Sequence, residues 1–191
     1  MKTLYLIRHS LTGANEQHLY CGHTDISLSE NGRRLAVSMA SERPLPECDI
    51  YATSGMKRTC ETLSILTGVT DFEVMPDLME MNFGTFEMRS YEQLSGNPDY
   101  IRWIEDESGC VACPGGESRR TFSQRIQRSI SDVLLRNTAS MMIVCHGGVI
   151  ANIMQNWFPE EDRHFYQWQP KACRGYAVTI ENGKPVGFEA L

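Results

Sequence analysis

The sequence predicts an α/β fold, a three-layer α/β/α sandwich with a largely parallel central sheet and a lid-like insertion, and three observations carry that expectation. Short apolar runs alternate with amphipathic stretches of helical period, the pattern of strand–helix units whose strands lie parallel in one sheet. The runs Thr3–Ile7 and Ser140–Cys145 are apolar at both alternating positions, as a strand covered by helices on both faces must be. Each run then breaks into a polar or glycine-bearing turn, Arg8–His9 after the first and His146–Gly147–Gly148 after the second.

Taken in order, Thr3–Ile7 is the first strand and leads into a polar stretch holding Gly13 and Gly22. A helix follows from Leu28: Ser27 and Glu30 have capping-box spacing, Ser29 is an equal candidate for the cap, and Leu35, Ala36 and Met39 form the apolar side. Ile50–Ala52 is a second short strand that breaks at Thr53–Ser54–Gly55. The next helix runs from Met56 to about Leu66, with Gly68 placed to end it. Phe72–Met75 is a short strand stopped by Pro76.

Residues 76–117 are the least regular part, broken by Pro98, Pro114 and several glycines, with one short helix expected at 98–107. They are read as a lid and substrate-pocket segment. A long amphipathic helix then starts at Ser118, with Phe122, Ile126, Ile130, Val133 and Leu134 on one stripe. After the strand Ser140–Cys145 a helix runs through Trp157, and Gly175–Glu181, the turn Asn182–Gly183 and Lys184 onward form a hairpin. No repeat, low-complexity tract or linker intervenes, so residues 1–191 read as a single domain.

The chain's 191 residues suffice for one substantial core. With 41% hydrophobic and 22% charged residues the balance is that of an ordinary globular protein. The net charge of −6, from 18 Lys and Arg against 24 Asp and Glu, argues against nucleic-acid and anionic-membrane partners. An anionic substrate must therefore be held by a local cluster of cations. The apolar run before Arg8 is too short for a signal peptide, and no stretch has the length of a membrane span. Seven cysteines, an odd number at irregular spacing, point to reduced thiols in a cytoplasm. Oligomeric state is not legible.

The turns after the strands carry residues suited to phosphoryl transfer. A phosphate dianion needs fixed cations and N–H donors, the nucleophile an aligned lone pair, and the leaving oxygen a proton. Arg8, Arg58 and His146 supply the cations, with Asn15 and backbone amides adding donors. Arginine suits the task because its planar fork matches phosphate oxygens. His9 is the candidate nucleophile, since a neutral imidazole is available near neutral pH. Glu80, between Met79 and Met81 and near Phe83, is the candidate acid, on the expectation that an apolar setting keeps its carboxyl protonated.

Other constellations carry less. His18, Cys21 and His23 match no recognised zinc spacing, so no metal site is expected, and His23 is placed at the pocket rim or in solvent. Cys110 and Cys113 read as flexible-loop thiols, His164 as a solvated side chain and Met141–Met142 as core. Cys113 and Arg119 have the bare spacing of cysteine-dependent phosphatases. Glu117 would then sit inside the loop cradling a dianion, where repulsion is costly, and that reading is rejected.

Beyond single residues, six blocks in order resemble the histidine phosphatase superfamily, of phosphoglycerate-mutase-like fold, and specifically its short phosphatase branch. They are Arg8–His9 with Thr12 and Asn15; Gly22–Gly32; Ser54 with Arg58, Thr59 and Thr62; Leu78–Gly84 continuing to Glu87; Pro114–Ser118; and Val144–Gly148. The resemblance implies His9 as nucleophile, Glu80 as general acid/base, and Arg8, Arg58 and His146 around the phosphate. Asn15, the Gly22 backbone, His23 and Gly147 would contact substrate. It implies hydrolysis of a small phosphorylated metabolite through phosphohistidine, with no cofactor and no metal.

A phosphoglycerate mutase using the same residues is the alternative, and a catalytically silent phosphate-binding module is a third reading. Two departures from the family pattern stand out: Ser10 and Met88 occupy positions where glycine is commoner. If Glu105, Asp106 and Glu107 face the pocket they disfavour substrates with several phosphates, and Trp103 is either a stacking surface or core.

Overall fold

The computed structural model describes residues 1–191. Six strands, β1 (Lys2–Arg8), β2 (Ile50–Thr53), β3 (Glu73–Val74), β4 (Ser140–Cys145), β5 (Gly175–Glu181) and β6 (Lys184–Ala190), form one sheet. Its order is β3-β2-β4-β1-β5-β6. The pairs β1–β4, β4–β2 and β2–β3 are parallel, while β5 and β6 add an antiparallel hairpin beside β1. Seven helices accompany them: α1 (Gly13–Glu16), α2 (Glu30–Glu42), α3 (Lys57–Thr67), α4 (Tyr91–Leu94), α5 (Pro98–Ile104), α6 (Arg119–Leu135) and α7 (Gly147–Trp157).

Alternation along β4 shows why the sheet is covered on both faces. Met141, Ile143 and Cys145 join one core with Ile126 and Ile130 of α6 and Val149 and Ile153 of α7. Met142 and Val144 join the other with Ala36 and Met39 of α2 and Leu63 and Leu66 of α3. Each such side chain, fully removed from water, contributes about 1.5–3 kcal/mol. Lys2 ties β1 to the C-terminal end of α6, its Nζ donating to the carbonyls of Val133 at 2.7 Å, Leu134 and Arg136, where a cation meets the negative end of the helix.

The local signals act as expected. Ser29, the second of the two candidates, is the cap of α2, accepting from the Gly32 amide at 3.0 Å. Gly68 ends α3 at φ 76°, a left-handed conformation that glycine adopts without a Cβ penalty. Asn182 (φ 50°) and Gly183 (φ 75°) make the hairpin turn. Ser118 caps α6, whose Phe122, Ile126, Ile130 and Val133 are buried.

In residues 76–117 the expected helix ends at Ile104, and α4 and two single-turn 3₁₀ segments, Pro76–Leu78 and Gly84–Phe86, accompany it. An aromatic cluster of Tyr20, Phe83, Phe86, Tyr100 and Trp103 holds this region down, with the Tyr20 and Tyr100 hydroxyls 2.7 Å apart. Trp103 is therefore core. Cys113, expected as a flexible-loop thiol, is 1% exposed and belongs to the core, whereas Cys110 is exposed. No helix is long and apolar enough to cross a membrane.

Register then places the site. Arg8 lies opposite Cys145, and Thr53 opposite Val144, so three parallel strands end at one edge. The residues that follow them, His9, Ser54 and His146, emerge side by side where ligands collect in such sheets.

Candidate active site

His9 follows β1 and is 6% exposed. Its amide donates to the Cys145 carbonyl at 3.0 Å, which fixes it against β4. The ring places Nδ1 2.6 Å from the Ser10 carbonyl oxygen. A carbonyl only accepts, so Nδ1 carries the proton and Nε2 keeps its lone pair. Burial, then the Arg58 and Arg8 charges, hold the His9 pKa down to about 3, against a partial opposing effect of the Ser10 bond. The ring is thus neutral at physiological pH, with one nitrogen free to act as a nucleophile.

Ser10, one of the two departures from the family pattern, is the reason the ring is oriented. It is fully buried, its hydroxyl donates to the Gly32 carbonyl at 2.7 Å, and its amide donates to Thr62 Oγ1 at 2.9 Å. A serine here adds a hydroxyl anchor to α2 without disturbing the carbonyl that His9 uses.

His146 caps α7 and sits edge-on to His9, the ring centroids 5.2 Å apart. Its Nε2 lies 2.8 Å from the Ser54 hydroxyl, and its buried Nδ1 has no protein partner. Burial first, then Arg58, His9 and Arg8, push its pKa well below the ordinary value. Arg58, in the first turn of α3, is 1% exposed. It donates to the carbonyls of Gly22 at 2.6 Å and Thr24 at 2.9 Å, and its buried Nε has no partner. Arg8 donates to the Pro170 carbonyl at 2.9 Å. Buried nitrogens left open on two convergent side chains, at the N-terminal ends of two helices, suit a phosphate dianion.

Glycines allow the groups to approach. A Cβ on Gly147 would lie 3.2 Å from the Arg8 guanidinium, and one on Gly148 would lie 2.4 Å from the Glu80 carboxylate. Glu80 accepts from the Gly148 amide at 2.9 Å and from the Met81 amide at 3.0 Å. Its setting is therefore not the apolar pocket expected from Met79, Met81 and Phe83; it is a half-buried carboxylate bridged to the start of α7.

The remaining candidates fall into place unequally. Asn15 spends its Oδ1 on the amide (3.0 Å) and hydroxyl (2.9 Å) of Thr12, the cap of α1, completing a capping box. The Gly22 amide, expected to serve substrate, donates instead to both Glu87 oxygens at 3.0 and 3.1 Å, and Gly22 meets the site through the carbonyl that holds Arg58. The His23 amide also donates to Glu87, at 2.9 Å, while its Nε2 is buried and unpartnered, a rim position rather than a solvated one. His18, Cys21 and His23 do not come together as a metal-ligating group.

Sequence reading gave no role to Glu87 or Ser54, though both lie in its blocks, and passed over Pro170. Glu87 accepts from Gly22, His23, Thr24 and Phe83 amides and the Thr24 hydroxyl, and those bonds hold its carboxyl below the usual range against the effect of burial. Pro170 contributes only a carbonyl, which no residue type advertises. Ser54 was visible as part of a block but had no role until its bond to His146 appeared.

Met88, the other departure, keeps the glycine-like backbone at φ 59°, with its amide bonded to the Tyr20 carbonyl at 2.7 Å. Its partly exposed side chain points no group at His9, and the strain costs about 1 kcal/mol. Asp106 is tied to the amides of Ser108 and Val111, and Glu107 lines a surface depression with Arg119 and Arg120.

Two histidines and two arginines thus converge at the strand-end edge of a sheet of phosphoglycerate-mutase-like fold. Residues 4–187 match the histidine phosphatase superfamily, branch 1. The chain belongs to that superfamily and is by class a phosphoric monoester hydrolase.

It is 30% identical over 153 residues to the adenosylcobalamin/α-ribazole phosphatase of Salmonella typhimurium, covering 78% of this chain and 75% of that one. The crystal structure of the α-ribazole phosphatase from Shigella flexneri superposes with TM-score 0.87 at 26% identity, covering 99% and 95% of the two chains. A phosphoserine phosphatase mutant from Entamoeba histolytica in complex with phosphoserine superposes with TM-score 0.82 at 26% identity, covering 98% and 96%. Phosphoglycerate mutases stand among the relatives as well.

Proposed function

We propose that the protein hydrolyses a small phosphomonoester by passing the phosphoryl group from substrate to His9 and then to water. The observation that carries this reading is the 2.6 Å bond from His9 Nδ1–H to the Ser10 carbonyl, which leaves Nε2 as a lone pair among Arg8, Arg58 and His146. Nε2 attacks phosphorus in line as the ester P–O bond breaks, and Glu80 gives its proton to the departing oxygen. The phosphate charge is held by Arg8, Arg58 and His146, with Asn15 Nδ2, His23 and the Gly147 end of α7 at the margin. In the second step Glu80 takes a proton from water, the water oxygen attacks phosphorus, and the P–N bond breaks to release phosphate and neutral His9.

The first step needs no metal or cofactor, because arginines supply the charge a cation would. Residues 76–117 are the lid that shapes the leaving-group side, and their variation selects the substrate. Seven free cysteines support a reducing, cytoplasmic setting. α-Ribazole phosphate and phosphoserine, after which the relatives are named, are the first substrates to try.

Turnover of p-nitrophenyl phosphate in the presence of EDTA, followed by a panel of phosphometabolites, tests the reading. A strict requirement for a divalent metal would overturn the mechanism. The second reading, a mutase, is favoured by the mutases among the relatives. A coupled assay for transfer between phosphoglycerate positions separates it from hydrolysis.

A further inference from the structure

We infer that Arg125, on α6, is a positioning residue that fixes Glu80 at the reacting phosphate, with Glu117 as its partner. The guanidinium has five N–H groups and finds five acceptors. Nε donates to Glu117 Oε1 at 2.9 Å, and one terminal nitrogen donates to Glu117 Oε2 at 2.7 Å and the Glu80 carbonyl at 3.3 Å. The other donates to the carbonyls of Asp77 at 2.7 Å and Met79 at 2.9 Å. Glu117 in turn accepts from the Asn82 amide at 2.9 Å, and its own amide donates to the Asn82 carbonyl at 2.8 Å.

The backbone is therefore gripped at residues 77, 79, 80 and 82, on both sides of Glu80. This segment is otherwise two short turns with no sheet or long helix to hold it. Leu78 and Met81 anchor it in the core, and the ion pair, 17% and 19% exposed at its side chains, sets where the chain runs between them as it passes the start of α7. Fixing the backbone there aims the Glu80 carboxylate at the Gly148 amide, 2.9 Å away, and so at the phosphate side of the site. A five-donor fork matches the five acceptors, and lysine, a single ammonium with three donors, cannot satisfy them together.

This inference rests on Glu80 being the proton donor, so the test includes Glu80→Gln. Single-turnover phosphoryl transfer is measured for an alkyl phosphate, whose leaving alkoxide needs a proton, and for p-nitrophenyl phosphate, whose leaving group scarcely does. Arg125→Lys keeps the charge and removes the fork. It is expected to slow the alkyl ester about tenfold or more beyond the aryl ester, within the range a positioned acid supplies, with little change in KM. Glu117→Gln, the second variant should Arg125→Lys not fold, is expected to shift the same ratio in the same direction. In a Glu80→Gln background neither change should widen the alkyl–aryl gap further.

Equal slowing of both esters by Arg125→Lys and Glu117→Gln, while Glu80→Gln remains selective, overturns the positioning role and leaves the acid assignment standing. An unselective Glu80→Gln overturns the acid assignment, and the positioning role with it. A further selective loss in the Glu80→Gln background also overturns it, because Arg125 would then act independently of Glu80.

Discussion

The proposed phosphate side of the site is placed by the sheet, whereas the proposed acid side, in residues 76–117, is placed by hydrogen bonds and the Arg125–Glu117 ion pair. His9, Ser54 and His146 follow three strands in register, and Arg58 begins a helix directly after the middle turn. Their positions come from the same packing that makes the fold. Glu80 lies between two single-turn 3₁₀ segments, held by Arg125 of α6 and by Glu117 just before that helix, and meets α7 through one amide. The difference teaches which half of the site tolerates change: the sheet edge must keep its geometry while the protein folds at all, but the acid side can be loosened without losing the core.

Changes on the sheet edge should therefore abolish chemistry, and changes on the acid side should grade it. The largest effect is expected for His9→Ala, a fall in turnover of roughly 10⁴-fold or more with a far-UV spectrum unchanged, since the nucleophile is removed and no other group acts in its place. Turnover within tenfold of wild type would break the comparison at its stronger half.

Next, Glu80→Gln should slow transfer from alkyl phosphates by about 10²- to 10⁴-fold, and transfer from p-nitrophenyl phosphate much less. Stopped-flow single turnovers separate this step from the proposed dephosphorylation of His9, in which the same carboxyl would act as base. Arg58→Ala should cost about 3 kcal/mol of transition-state stabilisation, on the order of 10²-fold in kcat/KM, and should affect both ester types alike. An alkyl-selective loss from Arg58→Ala would place it with the acid rather than with the phosphate.

The fold was legible because apolar runs on both alternating faces leave a strand few alternatives. β1 and β4 read directly, as did Gly68 and the Asn182–Gly183 turn, where backbone conformation demands those residues. The sheet-edge site followed, since residues after parallel strands must share an edge. Less was legible on the acid side. Whether Gly22 offers its amide or its carbonyl depends on Glu87, 65 positions away in sequence. Cys113 looked like a loop thiol because no strand-to-helix pattern surrounds it, yet it is buried and its pKa is pushed up to about 12, chiefly by desolvation. Hydrogen bonds to backbone carbonyls, such as Arg8 to Pro170 or Arg125 to Asp77, leave no mark in residue type.

The smallest expected effect concerns acid stability. The His9 pKa is about 3 in the folded protein against an ordinary 6.5, so the unfolded chain binds more protons between those values. Stability contributed by keeping His9 neutral is present above pH 6.5 and is lost as pH falls toward 3, and His146 acts in the same direction. Thermal midpoints measured from pH 7 to pH 4 should fall more steeply for wild type than for His9→Gln. Parallel curves would show that His9 is not held neutral by its surroundings.

The central claim, that phosphate passes through His9, is tested most directly by trapping. Wild-type protein mixed briefly with labelled substrate and quenched in base should carry label on the peptide containing His9, stable to base and lost in acid, and His9→Ala should carry none. Label that survives acid, sits on a cysteine or serine, or persists in His9→Ala would contradict the account.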